Sequence, residues 1–502
     1  MSYYELEGAV RGLWNRAQHY ARPILSAVAL SLMPSAPQAY SSPGAPVPYA
    51  MRAQQAASKE PIPDAAKQKE SEKTIREIYK QDYALSSPVS QQSLCAKLLR
   101  SGMEIKEPSA DKFVLLREAR VIALRNGLAE PAYRAIDTTA DVFAIDAKKE
   151  RADALKALSA QTSPENHRSL AQVCLQLARN YVPTDDYEEA AKYVSQADAS
   201  AKRAQDVSLT LAVQDYGKVL AETKREYGKA KAAILKLEKD PDDEAANVDA
   251  GKYLCFFKGD WTRGLLMLSR SSNAALKKLA NDDLNDASEA SGKMALGDNW
   301  WAYADKDKTL KDKARERALN WYKQAWTGLD GLQKDKARAK FREVYTPLNK
   351  KDIKWTPADW NLGKTMSLDS RAFTGQAALR IDAGDAKAES LWTPRKTPVR
   401  EGAQYRLSAW MLTDDTSGGT ILELRFFTDA TKFVAENIPI PADQPWWTYE
   451  EKIVNVPKDA KEMTILVWPK HTKGYALLDN ISVKDHDTGI EYAVNGGFEQ
   501  KK

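Results

Sequence analysis

Tyr405-Arg406-Leu407-Ser408-Ala409-Trp410-Met411 puts Tyr, Leu, Ala and Met on one side and Arg, Ser and Trp on the other. That period of two belongs to a strand, whose successive side chains point to opposite faces. It recurs in Ala377-Ala378-Leu379-Arg380-Ile381-Asp382, in Ile421-Leu422-Glu423-Leu424-Arg425-Phe426-Phe427 and in Met463-Thr464-Ile465-Leu466-Val467-Trp468. Turn-forming clusters such as Ser417-Gly418-Gly419 and Pro439 to Pro445 separate these runs. Alternating strands with frequent turn signals predict an antiparallel β-sandwich or jelly roll over residues 346–502.

Upstream the period changes to that of helices. Phe113-Val114-Leu115-Leu116 with Ala119, Ile122 and Ala123 gives one apolar face, and Leu170, Val173, Cys174, Leu177 and Ala178 give another. Asn126-Gly127, Thr184-Asp185, Gly259-Asp260 and Gly297-Asp298 each read as a turn between two helices, the last two recurring 38 residues apart. Residues 71–345 therefore predict an all-α helical-repeat domain, an α-solenoid that resembles a degenerate tetratricopeptide-type array. The alternative is a closed α/α toroid. The expected fold class is multidomain, an all-α TPR-like solenoid followed by an all-β jelly-roll sandwich.

The 502 residues carry a net charge of +5 with no basic stripe, which argues against a nucleic-acid partner. Cys95, Cys174 and Cys255 each sit in an apolar helical pattern and read as buried free thiols. Four histidines, scattered along the chain, offer no zinc spacing. Near the N-terminus Arg11, Arg16 and Arg22 precede the apolar run Ile24 to Met33 and a small-residue stretch, the order of a secretory signal. Residues 1–50 are thus expected to be a signal peptide or N-terminal tail and 51–70 a linker. The protein is expected to be exported, periplasmic or at the cell surface, with no transmembrane segment in the mature chain.

A family resemblance joins the strand-rich motifs. Phe373 to Ile381, Val399 to Trp410, Trp446-Trp447-Thr448-Tyr449-Glu450 and Leu477-Leu478-Asp479-Asn480-Ile481-Ser482-Val483 resemble, in that order, the CenC-type carbohydrate-binding modules of the galactose-binding-like jelly rolls. One departure is the N-x-G-F-E segment, which usually opens the module and here comes last, as Asn495-Gly496-Gly497-Phe498-Glu499. Either this segment or Trp355 to Leu362 is expected to supply the first strand. The resemblance implies a polysaccharide or glycan partner and a possible structural calcium at Asp479 and Glu499. Sugars need flat apolar faces beside hydrogen-bonding groups. Trp392, Trp446, Trp468 and Tyr475, near turn signals, are the candidate sugar-binding residues, with Arg395, Asp443 and Lys470 as polar contacts. Trp360, Trp410 and Trp447 are expected in the core.

In the helical part, Trp261, Trp300 and Trp301 are expected between helices, and Asp242-Asp243-Glu244 and Asp282-Asp283 at helix ends. The sequence holds no G-x-S-x-G elbow, Walker loop, G-x-G-x-x-G or H-E-x-x-H, so no catalytic residue is assigned. The expectation is an exported, non-catalytic binding protein whose sandwich holds a glycan and whose helical repeats hold a protein partner. The alternatives are a secreted polysaccharide hydrolase or lyase with an α/α catalytic domain, and a structural cell-surface protein that binds no glycan.

Overall fold

The computed structural model describes residues 59–285, 287–345, 353, 355–357, 359–384, 391–393, 396–429, 432–493 and 495–500. The expected signal segment and residues 51–58 lie outside them. The helices are α1 (Ala65–Ile78), α2 (Lys80–Tyr83), α3 (Pro88–Glu104), α4 (Ala110–Arg125), α5 (Ala129–Val142), α6 (Ala147–Ser159), α7 (Pro164–Tyr181), α8 (Tyr187–Arg203) and α9 (Val207–Leu237). Then follow α10 (Glu244–Lys252), continued by a π-helical turn over Tyr253–Lys258, α11 (Trp261–Leu268), α12 (Ala274–Leu284), α13 (Ala290–Lys306), α14 (Lys311–Ala325) and α15 (Gly331–Tyr345). The first of them begins inside the stretch expected as linker.

Helix starts are set by side-chain caps. Ser109, Ser163, Asp186, Asp243 and Asp260 each accept a hydrogen bond from the N–H three residues on, a contact that stabilises by about 1 kcal/mol. Three of the four expected turns are real: Gly127 and Gly259 have positive φ, and Asp185 takes the left-handed conformation before the Asp186 cap. The fourth is not. Gly297-Asp298 lies inside α13, where a Cβ at Gly297 would come within 2.4 Å of the Tyr322 ring, and Asp298 accepts the Tyr322 hydroxyl at 2.8 Å. Glycine there allows α13 and α14 to approach closely, and the 38-residue recurrence is no repeated turn. Helix lengths run from 4 to 31 residues, so the helices do not fall into the equal pairs of a tetratricopeptide-type array.

Chain neighbours such as α7 with α8 and α13 with α14 pack on each other. One core runs from Ile75 to Leu220, and a second from Cys255 to Tyr345 continues into the sandwich. Trp300 and Trp301 lie in that second core and Trp261 packs against it, as expected, and the three cysteines are buried and free. Asp283 is no exposed cap. It is 4% exposed and accepts the indole N–H groups of Trp300 at 2.7 Å and Trp321 at 2.9 Å while paired with Arg317. Among the described residues no helix is long and apolar enough to cross a membrane.

The strands are β1 (Met366–Asp369), β2 (Ala378–Asp382), β3 (Leu391–Trp392), β4 (Thr397–Pro398), β5 (Gln404–Asp414), β6 (Ile421–Phe427), β7 (Phe433–Pro439), β8 (Thr448–Asn455), β9 (Glu462–Trp468) and β10 (Tyr475–Asp485). They form an antiparallel sandwich, one sheet ordered β1-β2-β10-β5-β8 and the other β3-β9-β6-β7, with β4 beside β9. Leu379, Ile381, Tyr405, Leu407, Leu424, Ile465 and Val483 fill the space between them together with Trp360. The C-terminal segment joins this core without forming a strand. Phe498 is fully buried, Gly496 accepts from the Ile481 N–H at 3.0 Å, and the indoles of Trp355 and Trp360 donate to Phe498 and Asn495. The two segments expected to compete for one place therefore meet each other.

Replacing Asp283 with Ala strips two buried indoles of their acceptor and leaves Arg317 without its carboxylate. The expected loss is about 3 kcal/mol or more, read by denaturant unfolding; a change below about 0.5 kcal/mol would refute the role given to Asp283.

Candidate functional site

A sandwich offers two outward faces, and here they differ in what covers them. Alternation along β2, β5 and β10 sends Ala378, Trp410, Leu412 and Leu477 out of the five-stranded sheet and into the core shared with the C-terminal helices. Trp410 is stacked under Phe373 with ring centroids 3.6 Å apart. Trp446, just before β8, is 8% exposed, edge-on to Trp326 at 5.4 Å and 5.0 Å from Phe341 of α15. Arg342 makes two bonds to Asp414, at 2.7 and 3.0 Å, and Arg338 reaches both Asp414 and Asp443, at 3.1 and 2.6 Å. The Trp326 indole donates to the Asp443 carbonyl at 2.9 Å. Tyr475 donates to Asp414 at 2.8 Å and accepts from Arg371, whose guanidinium and that of Arg380 flank its ring.

The other end of the same sheet meets the N-terminal helices. Arg100 of α3 pairs with Asp487 at 2.7 Å, Glu130 of α5 with Lys484 at 2.6 Å, and Ser208 of α9 donates to Asn480 at 3.1 Å. Two of the residues expected to meet sugar, Trp446 and Tyr475, thus lie between the domains, and Asp443, expected as a polar sugar contact, is an interface acid. The sequence could not place them, because an aromatic near a turn looks the same whether a helix or water covers it.

Burial alone would raise the interface carboxyls. Hydrogen bonds from Arg342, Tyr475 and Arg338 outweigh it at Asp414, those from Arg338 do so at Asp443, and those from Arg400 and Arg100 at Asp487, holding all three below the ordinary range. At Glu130 burial is likewise overcome, by Lys484 first, and its pKa falls to about 2.

The outward face of the second sheet, β3-β9-β6-β7 with β4, is exposed along β7 at Phe433, Asn437 and Pro439, while Glu423, Thr464 and Leu466 in its middle are buried. Ile421, Glu423, Arg425 and Phe427 point outward from β6, paired in register with Trp468, Leu466, Thr464 and Glu462 of β9 on one side and Pro439, Asn437, Ala435 and Phe433 of β7 on the other. Trp468 is half-buried and Phe433 is 48% exposed. Between them lies the Arg425 guanidinium, 5.6 Å from the Trp468 ring and 4.0 Å from that of Phe433, held by Glu423 two residues away on the same strand at 2.6 and 2.8 Å. Lys396 caps the Phe427 ring at 3.6 Å. Trp392 is paired with Leu466 on the same sheet, though its side chain lies outside the described residues, as does Arg395. Of the four expected sugar residues the structure therefore brings Trp468 to the outer face of this sheet. Arg425, Phe427 and Phe433 went unremarked as site residues, although the period-two pattern that defines β6 already put Arg425 and Phe427 on one side.

Asp479 and Glu499, expected to ligate calcium, are both buried and both bind backbone. Asp479 accepts from the N–H of Thr374 at 2.9 Å and of Asn480 at 2.7 Å; Glu499 accepts from Gln376 at 2.6 Å and Ala377 at 3.3 Å. Gly375, at φ +69°, passes so close that a Cβ would overlap the Glu499 carboxylate. Calcium takes about six to eight oxygens. Among the described residues no three His, Cys, Asp or Glu side chains gather, and three of the four carboxylate oxygens already face N–H donors. The residues present do not fit calcium.

No protein-family model and no curated protein matches the sequence. Solved structures similar to the chain over its C-terminal sheet region include a family 16 carbohydrate-binding module, 18% identical over 26% of this chain and 98% of that one, with a TM-score of 0.22. A family 61 module solved with β-1,4-galactotriose is 14% identical over 26% of this chain and 91% of its own, with a TM-score of 0.20. The C-terminal family 22 module from Clostridium thermocellum is 14% identical over 29% and 96%, with a TM-score of 0.22.

Two outcomes follow. Because the interface carboxyls titrate below their unfolded range, their contribution is complete above that range and is lost as pH falls through the folded values. Thermal midpoints should therefore hold near neutrality and drop between about pH 5 and pH 2; a midpoint unchanged at pH 3 contradicts the arginine–carboxylate clamp. Excess EDTA should move the midpoint by less than about 1 °C, and a larger fall would show a metal contributing to stability.

Proposed function

We propose that the chain is an exported, non-catalytic glycan-binding protein that takes its ligand on the outer face of the β3-β9-β6-β7 sheet. The observation that carries this reading is the Trp468–Arg425–Phe433 row. A flat indole and an exposed phenyl ring, separated by a guanidinium held in place by Glu423, supply stacking surface for the C–H faces of sugar rings and donors for hydroxyls. Thr464 and Asn437 lie in the neighbouring rows of the same face. Export rests on the arginine–apolar–small order of residues 11–50. The helical domain serves in this reading as a rigid mount.

The test is co-sedimentation of the full chain with insoluble xylan, cellulose, β-galactan and cell-wall polysaccharide. Retention on at least one is expected, and Trp468→Ala should weaken it about tenfold or more, the loss of roughly 1.4 kcal/mol of stacking, with the melting midpoint unchanged. Retention on none, or retention unaffected by Trp468→Ala, rules the reading out.

A further inference from the structure

Directly opposed residues of an antiparallel pair alternate between pairs that exchange both backbone hydrogen bonds and pairs that exchange none. Both ends of the β6–β7 pairing fix which is which. The Thr428 N–H donates to the Lys432 carbonyl at 3.1 Å and the Ile440 N–H to the Thr420 carbonyl at 2.8 Å, in the register that sets Phe427 opposite Phe433 and Ile421 opposite Pro439. Val434, Glu436 and Ile438 therefore bond to β6, and Phe433, Ala435 and Asn437 turn their N–H and C=O groups away from it. Lys452 agrees with this phase, since it reaches the Asn437 carbonyl from β8 at 3.4 Å.

β7 ends its sheet: among the described residues no strand pairs with its other edge. Folded proteins blunt such edges with proline or charge, because a bare one pairs with other chains. Here Pro439 and the Lys452–Glu436 ion pair guard one end of β7. The other end is bare and apolar. Phe433 is 48% exposed on the outer side of the sheet, and Val434 is 43% exposed on the inner side, where Ile438 of the same strand is buried.

A second copy of the chain fits this edge. With a two-fold axis through Val434, Phe433 of each copy lies opposite Ala435 of the other. The two then exchange N–H···O bonds through backbone groups that have no partner among the described residues. Val434 meets Val434 at the axis on the inner side, and Phe433 lies beside the small Ala435 on the outer side. Lys432, whose contact with Asp429 is a loose 3.8 Å, faces Glu436, opposite charges in directly opposed positions. Neighbouring registers fit less well: centring on Ala435 sets Val434 against Glu436, and centring on Glu436 sets carboxylate against carboxylate.

We propose that the protein pairs with a second copy of itself by joining the two β7 edges antiparallel about Val434, which makes one continuous sheet across two sandwiches. The inference does not depend on glycan binding. Where that reading holds as well, the joined sheet sets two Trp468–Arg425–Phe433 rows on one surface.

The experiment is sedimentation equilibrium of the full chain at micromolar concentrations, where twice the chain mass is expected. Ala435→Pro removes a donor from the outer side of an edge strand, a position that accommodates proline. It should leave a monomer whose melting midpoint moves by less than about 2 °C. Lys432→Glu, which sets like charges opposite each other, should weaken the dimer about tenfold. Mild oxidation of Val434→Cys should link the copies by a disulfide. Opposed residues of a non-bonded pair lie about 4.5 Å apart between Cα atoms, within bridging range, and the native cysteines are buried. Ala435→Cys, which faces Phe433 and not its own counterpart, should stay unlinked. A monomer at every concentration overturns the dimer, even if the edge then takes an extended peptide of another protein. Linkage through Ala435→Cys in place of Val434→Cys overturns the register.

Discussion

The buried carboxylate of Asp414 takes two hydrogen bonds from Arg342, one from Arg338 and one from Tyr475. It lies at the end of β5, on the outward side of the five-stranded sheet, and two of its donors come from α15. A carboxylate this enclosed is tolerable only while its partners stay, so the sandwich and the last helix are obliged to keep one arrangement. Trp446, packed on Trp326 and Phe341 beside it, adds apolar contact to the same seam. With Arg100, Glu130 and Ser208 holding the opposite end of the sheet, the sandwich ties the early helices to the late ones. Which face can meet a large ligand follows from that clamp.

A binding module on a flexible linker searches for its ligand independently of its neighbour. The arrangement here works differently. A fixed seam of ion pairs and aromatic edges holds the outer face of the second sheet at a set orientation to the described helices, so in the proposed reading a ligand held at Trp468 would be presented at a defined place relative to them.

Much of this architecture was legible in the sequence. The period-two runs fall on β2, β5, β6 and β9 almost residue for residue, because each strand sends alternate side chains into the core between the sheets. Helix starts were legible where a Ser or Asp caps them. Gly297-Asp298 misled because glycine serves two needs, a left-handed turn at Gly259 and close helix packing at Gly297, and the local sequence is alike for both. Asp283 misled for a related reason: a carboxylate near a helix end resembles a cap until the indoles that surround it, 17 and 38 residues away in sequence, are known. Among the site residues, Trp468 and Trp446 look equivalent in the sequence. Only the tertiary fold leaves Trp468 half-buried on the outer sheet face and packs Trp446 against α15, since the residues that cover Trp446 are about a hundred positions upstream.

The most direct measurement of the central claim, that one aromatic face lies outside the seam and the other is taken up by the helices, is hydroxyl-radical footprinting of the full chain at neutral pH, read tryptophan by tryptophan. Oxidation is expected at Trp468, with Trp446 and Trp410 protected to the level of the fully buried Trp300. Trp446 oxidised as readily as Trp468 would contradict the account.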